Sequence, residues 1–489
     1  MNTTHRVSRW LLPLGAALLT ACAAHPPQSP SAATPPVPHA SPPAVWQAAL
    51  PPAAGSQPLS GGWGFFDAPD LAALVDAAQQ ASPTLASAQA RVERARAARV
   101  AAGAAAWPQV NAVGSASSGR NVPAAPTATS LSLGVQAAWE LDLFGAVAAG
   151  RNAAQARQVA AEVALQGART SVAAEVASSL LALRACEAQT RQTRLDAVSR
   201  EQTARLTEQS ANAGFTAPAD AALARAGAAQ ARSQLLSLQA QCDTLVKSLV
   251  ELTDLPEPAL RQRLAAGTAQ LPRPAALALD GLPAELLSRR PDLAEAAQAV
   301  IAAAADRNQS RAREGLQVSL SGNLAAASLR TAGVSTNGST WSLGPLVVTF
   351  PLFDGGTRAA STAAAQAGYD EAVALYRAQF RRAVREVETA LLALDSTAQR
   401  ERDAEAAARD FEASLRATDA RQKGGLASLF DLETARRNAV QAQVALIDLQ
   451  RERAAAWIAL YRALGGGWQP GPASTAAAQN PTATARAPL

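Results

Sequence analysis

The body of this chain lacks histidine. Its 489 residues hold three, His5, His25 and His39, and all lie ahead of the first helical segment. Without imidazole the body lacks the commonest general base and a principal metal ligand, which argues against a metalloenzyme or a Ser/Cys-His hydrolase. The chain also lacks a G-x-x-x-x-G-K-[ST] phosphate loop and a dinucleotide fingerprint. The expectation is therefore no catalysis, no cofactor and no metal. Lysine is nearly absent, Lys247 and Lys423 being the only two, so the net charge of +5 and the pI of about 9.6 rest on scattered Arg. There is no basic cluster interleaved with aromatics, so nucleic acid is not an expected partner. Aromatics make up only 4% of the chain and charged residues 17%. The first leaves little to fill one fat core. The second lies below the usual quarter and argues against a disordered polyelectrolyte.

Alanine is what the chain has instead, at about a quarter of all residues against the few per cent usual for one residue type. Alanine is the best helix former and lets helices approach closely. Most of the body is thus expected as long helix packed in thin layers.

The N-terminus reads as an export address. Two arginines in the first nine residues precede a short apolar run, Trp10 to Leu19, which is too short to span a bilayer as a stable helix. The segment ends Leu19-Thr20-Ala21-Cys22. A small residue followed directly by Cys resembles the lipobox of bacterial lipoproteins, and the alternative is an ordinary signal with an incidental Cys. The resemblance implies that Cys22 is acylated, with palmitate among its chains, and that Ala23 after it favours the outer membrane. Several acyl chains, at about 0.8 kcal/mol per buried methylene, anchor firmly. Residues 1–21 are then signal peptide, 22–62 a Pro/Ala-rich tether, and 469–489 a disordered tail of similar composition.

The body between them is one unit written twice, at 63–280 and 281–468. Ser82-Pro83-Thr84-Leu85 recurs as Arg290-Pro291-Asp292-Leu293, and Gln109-Val110 as Gln317-Val318. Leu143-Phe144 meets Leu352-Phe353, and Gly214-Phe215 through Asp220 meets Gly425-Leu426 through Asp431. A spacing near 210 residues is too long for a solenoid and points to duplication of a half-molecule.

Each half should run helix, two strands, very long helix, break, helix. The first helix is expected from Ala68 to Ala106. From Leu131 to Leu143 the odd positions are apolar and the even ones Ser, Gly, Gln, Ala, Glu and Asp; Leu316–Leu324 alternates likewise. Partner strands are expected near Gln109–Ser117 and Ser342–Leu352, the latter slipping phase at Pro345. Loops are expected at Ser118–Thr129 and Ala325–Thr340. Strands of about ten residues suit a tilted bilayer crossing, and Glu140 and Asp142 on the wet face suit a water-filled lumen. A small soluble sheet lying on helices is the alternative. Helices follow from Ala146 to about Asn212 and from Thr357 to about Gln422, neither containing Pro. Each stops at Gly, and a second helix begins, Ala217–Leu252 or Ser428–Leu464. The reading is two antiparallel helical hairpins.

With the motifs Arg289-Arg290-Pro291-Asp292-Leu293, Pro351-Leu352-Phe353-Asp354-Gly355-Gly356 and Ala463-Leu464-Gly465-Gly466-Gly467-Trp468, this plan resembles the TolC-like outer-membrane efflux proteins, and within them the NodT-type efflux lipoproteins. The match covers about residues 63–468. The resemblance implies a mainly α fold with a small β part: four strands per chain given to a barrel shared by a homotrimer, and long helical hairpins forming a periplasmic tunnel. It implies a passive exit duct for drugs or other small toxic compounds. The partners would be a periplasmic adaptor, an inner-membrane transporter and outer-membrane lipid. A duct for protein secretion is a rival reading; a periplasmic adaptor lipoprotein is a weaker one. The chain departs from relatives in two places. Arg421 stands where many carry Tyr three residues before the tip glycine, and Gly315-Leu316 replaces a Phe-Pro pair that the first half keeps as Trp107-Pro108.

The gate is expected at the hairpin tips. Gly214, Phe215 and Asp220 would line or support it with Gly424, Gly425, Leu426, Ser428, Leu429 and Asp431, while Arg421 and Lys423 would pair with an Asp of a neighbouring chain. The two Asp residues alternatively serve only their helix starts. Cys186 and Cys242 stand equally far, 28 residues, on either side of Gly214. On antiparallel arms that puts them at one height, where an oxidising compartment favours a disulfide over two free thiols. The second half has Thr397 and Arg453 at the corresponding places.

Overall fold

The structure, a computed structural model, describes residues 43–51, 59–120, 126–275, 277 and 283–468. The signal peptide, Cys22 and the tail at 469–489 lie outside the described residues, as does much of the tether.

Helices α1 (Leu71–Ala81) and α2 (Pro83–Ala104) stand where one helix was expected from Ala68 to Ala106. The break falls at Ser82, whose hydroxyl accepts the Leu85 amide at 3.3 Å, with Pro83 at the first helical position. A proline there needs no amide donor, but inside a continuous helix it would cost a hydrogen bond and clash. Strands β1 (Gln109–Gly119) and β2 (Ala128–Leu141) follow. Helix α3 (Ala146–Asn212) has 67 residues, about 100 Å at 1.5 Å per residue. It turns back as α4 (Pro218–Thr253), and α5 (Glu257–Leu264) closes the first half.

The second half repeats the order. Helices α6 (Pro283–Ser288) and α7 (Pro291–Ala312) precede β3 (Gln317–Thr331) and β4 (Val334–Thr349). Helix α8 (Thr357–Lys423) again has 67 residues, and α9 (Leu429–Ala463) returns beside it. No described helix is long and apolar enough to cross a membrane.

The segment expected as a loop, Ala325–Thr340, is instead strand on both sides of a two-residue turn. Ala332 and Gly333 both have positive φ, 51° and 87°, which is the backbone of a tight hairpin. Its Ala, Ser, Thr and Asn residues form the ladder from Ala325↔Thr340 to Thr331↔Val334. Polar small residues read as loop, but backbone pairing in a two-faced sheet accommodates them. Strand β2 likewise begins at Ala128 and ends at Leu141, earlier at both ends than expected.

The four strands form one antiparallel sheet in the order β1-β2-β3-β4. Its centre pairs strands from different halves, Leu133↔Ala326 and Gln136↔Asn323 among them. The core lies away from the sheet, about midway along the long helices. There Leu180, Leu181 and Leu183 of α3 meet Leu249 of α4, Leu391 of α8, and Trp457 and Leu460 of α9. Elsewhere the helices bury mostly alanine, such as Ala153, Ala154, Ala302 and Ala304. Trp63, Phe65 and Tyr461 form an aromatic cluster beside the core. One stretch of the tether is held to the body. Glu388 of α8 accepts the amides of Gln47 and Ala48 at 2.8 and 2.9 Å, and Trp46 packs on the core.

Candidate functional site: the sheet wall and the hairpin tips

The sheet has two unlike faces. Along β2, Leu131, Leu133 and Val135 are exposed, while Ser130, Ser132 and Gly134 between them are half-covered. Over this stretch the polar face is the more covered, concave-side face; from Gln136 to Glu140 the order reverses, with Gln136, Ala138 and Glu140 exposed and Ala137 and Trp139 half-covered. Serine pairs line the polar face across strands: Ser115 with Ser132 and Ser117 with Ser130, both at 2.7 Å. On the convex face Leu324 stands opposite Trp341, which is 78% exposed. The phase slip falls at Pro345, where the register shifts between Leu320 and Gly322. It keeps Leu343 before it and Leu346 after it on that same apolar face. Such a face is costly in water and stable in lipid. Both edge strands, β1 and β4, offer unpaired backbone groups, which lipid does not tolerate.

Glu140 lies on the polar face of β2, exposed, in register with Ser319. Asp142 does not share that role. It lies just past the strand, and its carboxylate accepts the amides of Val147 and Ala148 at 3.0 and 2.7 Å. The first-turn amides of α3 have no partner within the helix, and a carboxylate there satisfies them. Asp142 therefore serves the helix start instead of the lumen wall.

At the far end of each hairpin the tips have one backbone design. Gly214 and Gly425 sit at φ 80° and 72°, a region that residues with a Cβ rarely adopt. The next amide reaches back five residues: Phe215 to the Ser210 carbonyl at 2.9 Å, Leu426 to that of Arg421 at 2.8 Å. This projects Phe215, 86% exposed, and Leu426, 73% exposed, beyond the helix ends. Gly424 caps α8, and its amide bonds the Ala420 carbonyl. Leu429 opens α9 behind Ser428 and Asp431, which bond reciprocally. The Ser428 hydroxyl accepts the Asp431 amide at 3.1 Å, and the Asp431 carboxylate accepts the Ser428 amide at 2.9 Å. Those Ser428 donors, helped by nearby Arg421, hold the Asp431 carboxyl below its ordinary range. Asp220 holds the same helical position, but Ala217 before it has no side-chain cap to offer. Within the chain, Arg421 donates to the Leu426 carbonyl at 3.3 Å and Lys423 pairs with Asp419 at 2.6 Å. Just above the tips a cleft of about 270 Å³ opens between the hairpins, lined by Leu223, Gly227, Phe430 and Glu433 among others.

Cys186 and Cys242 are bonded, with Cα atoms 5.6 Å apart, joining α3 to α4. At the equivalent height of the second hairpin, Arg453 of α9 pairs with Glu401 of α8, and Arg400 with Glu452 at 3.2 Å.

The Arg-Arg-Pro-Asp motif forms an ion-pair hub. The Arg290 guanidinium is 5% exposed and bonds Asp292 at 2.6 Å, Glu386 at 2.7 Å and the Ala463 carbonyl at 2.8 Å. Burial works against its charge, but the bonds to Asp292 and Glu386 raise it above the ordinary arginine value. Burial likewise opposes ionised Asp292, yet Arg290 and Gln379 hold it below the usual carboxylate range. Beside it, a Cβ on Gly465 would fall 2.1 Å from the Arg289 carbonyl oxygen. The Arg-Arg-Pro-Asp and Gly-Gly-Gly-Trp motifs are therefore two sides of one contact between the start of the second half and the end of α9. A charged residue directly before a helix-starting Pro, and a glycine run directly after a helix, were the available signals.

A four-stranded sheet with a lipid-suited face, a wet face and two open edges, carried on 67-residue helical hairpins, defines a protomer of a trans-envelope channel. The chain belongs to the outer membrane efflux protein family, whose pattern matches residues 74–254 and 282–466. It is 33% identical over 334 residues to the outer membrane protein OprJ of Pseudomonas aeruginosa, covering 68% of this chain and 69% of that one. It is 29% identical over 471 residues to the pyoverdine export outer membrane protein OpmQ of Pseudomonas putida, covering 94% and 97%. Among solved structures, the outer-membrane channel OprN superposes with a TM-score of 0.78 at 27% identity, over 88% of this chain and 99% of that one.

Proposed function

We propose that this chain is the outer-membrane duct of a tripartite efflux system. Three copies close one barrel and one helical tunnel. A periplasmic adaptor and an inner-membrane transporter deliver drugs or other small toxic compounds to it, and the chain itself catalyses nothing. The observation that carries the reading is the sheet: two open edges, one face with exposed Leu131, Leu133, Val135, Leu324 and Trp341, and an opposite face with Asn111, Gln136, Asn323 and the serine pairs. Four strands enclose no lumen, so copies must join edge to edge. A relative named for exporting the small molecule pyoverdine supports a small cargo over a secreted protein. Histidine confined to the residues ahead of the first half-repeat supports the non-enzymatic role. The mature chain begins at Cys22, acylated, and lies in the outer membrane with its hairpins in the periplasm; the lipobox-like Leu-Thr-Ala-Cys supports this. The half-repeats at 63–280 and 281–468 act as paired walls.

Purified full-length protein should give trimer-sized conductance steps in planar bilayers and cross-link as a trimer. Monomers without conductance would sink the reading. The gate belongs at the tips, where Gly214, Phe215, Gly425 and Leu426 project. Asp431→Ala should raise the conductance of the resting channel. Unchanged conductance across pH and salt would leave Asp431 only its capping role.

A further inference from the structure

The four strands carry two formal charges among their described residues, and these lie far apart. Glu140 is near one end of β2 on the concave face. Arg330 is near the opposite end of the sheet, in register with Thr129 and Ser335. By alternation Arg330 shares the convex face with Leu324, seven strand positions from the Asn323 row.

The rest of the concave face carries no charge: its residues are mostly polar or small, with Val113, Leu329 and Val347 among them. One row crosses all four strands in register: Asn111, Gln136, Asn323 and Ser342. Its amides and hydroxyl are dipoles that can face either ion sign or an uncharged solute. Serine pairs fill the rows beyond it, toward the tight turn. Toward the helices, Glu140 stands four residues from Gln136, beside Ser319. No cation of the described strands shares that face with it.

We propose that Glu140 sets the charge preference of the membrane-spanning section, making an otherwise uncharged lumen favour cations and uncharged solutes over anions. The inference rests on the duct reading, because it needs the concave face to line water. In a closed barrel each protomer contributes one carboxylate at the same height, and a ring of like charges inside low-dielectric walls concentrates counter-ions. The field reaches across the lumen only when salt is dilute. The screening length is about 30 Å at 0.01 M and about 3 Å at 1 M.

The test is the reversal potential of full-length channels in planar bilayers under KCl gradients. Glu140→Gln keeps shape and hydrogen bonding while removing charge, and Glu140→Lys inverts it. Around 0.01 M, the cation-to-anion permeability ratio should fall by about twofold or more in Glu140→Gln, and further in Glu140→Lys. Near 1 M the three channels should converge. One shared reversal potential for all three in dilute salt would overturn the inference and move selectivity to the hairpin tips. Absence of channels in the unaltered protein would instead overturn the duct reading itself.

Discussion

At the start of α2, Ser82 uses a hydroxyl to hold one amide, that of Leu85. At the matching station of the second half, Arg290 holds Asp292, Glu386 and the last carbonyl of α9 at once. At mid-hairpin the first half uses a covalent bond between Cys186 and Cys242, the second an ion pair between Arg453 and Glu401. At the tip the order reverses: Ser428 and Asp431 form a capping box, and Ala217 and Asp220 do not. Duplication copied the path of the backbone, while the fastenings were replaced one by one. The teaching is that backbone geometry tolerates exchange of chemistry at a station provided each helix end and each arm contact is satisfied in some way.

The largest expected difference is between Arg290→Ala and Ser82→Ala. Removing Arg290 leaves Asp292 and Glu386, 37% and 28% exposed, without their partner; a fully buried pair broken this way costs about 3–5 kcal/mol, which is the upper bound here, whereas loss of a hydroxyl cap costs about 1 kcal/mol. Urea unfolding of detergent-solubilised protein should separate the two variants in that order. Equal losses would mean the Arg290 cluster is more hydrated than its exposure indicates. The cluster also has a pH signature. The Asp292 carboxyl is held below its ordinary value, so its contribution is present above the unfolded-state value and is lost as pH falls through the folded one. Acid should weaken the unaltered protein more than Arg290→Ala.

The next difference concerns the arms. A bond closing a loop across 56 residues stabilises by about 4 kcal/mol through loop-closure entropy, less where the reduced arms stay helical. Paired Cys186→Ser and Cys242→Ser substitutions should therefore lower stability, and reductant should do the same to the unaltered protein alone. Arg453→Ala removes an ion pair whose arginine is 42% exposed, and screening leaves it worth well under 1 kcal/mol. Thiol counting on denatured, unreduced protein checks the premise; two reactive thiols would remove it.

These stations also show what the sequence could disclose. Proline, glycine and period-two alternation are local signals, so α3 and α8 were legible almost to the residue. Equal spacing from Gly214 made the cysteine pair legible for the same reason. The hairpin between β3 and β4 was not, because Ala, Ser, Thr and Asn become strand only through a partner strand. Asp142 continues the polar alternation of β2, but its partners are amides five and six residues on, in a helix whose start the alternation cannot mark. Arg290 was legible as a motif but not as a contact. Beyond nearby Asp292, its partners Glu386 and Ala463 lie 96 and 173 residues away, out of reach of any local pattern.

A smaller effect is expected at the second tip. Ser428→Ala removes the acceptor for the Asp431 amide and a donor to its carboxylate, and should cost about 1 kcal/mol, or about fivefold in local opening. Amide hydrogen exchange over residues 428–432 should accelerate while the first tip is unchanged. Acid acts on the same box. Because Ser428 holds the Asp431 carboxyl below its ordinary range, the box is intact above the unfolded-state value and fails as pH falls through the folded one. Protection at the second tip, taken relative to the unstructured exchange rate at the same pH, should fall there even in the unaltered protein.

The smallest effect, and the sharpest test of the comparison, is a transplant. Ala217 precedes Pro218 with an extended backbone, φ −65° and ψ 141°; Ser428 precedes Leu429 at φ −80° and ψ 162°. Both are N-cap conformations, and both have Asp three residues on. Ala217→Ser should let the new hydroxyl accept the Asp220 amide while the Asp220 carboxylate turns back to residue 217, building the box the first tip lacks. The gain should be about 0.5–1 kcal/mol, read as slower amide exchange at residues 220–221 with the second tip unaffected. If the tips are equivalent supports of one gate, the transplant should also lower the resting conductance slightly, the opposite sign to Asp431→Ala. Slower exchange with no change in conductance would separate the two tips, leaving the first as a support and the second as the part that moves.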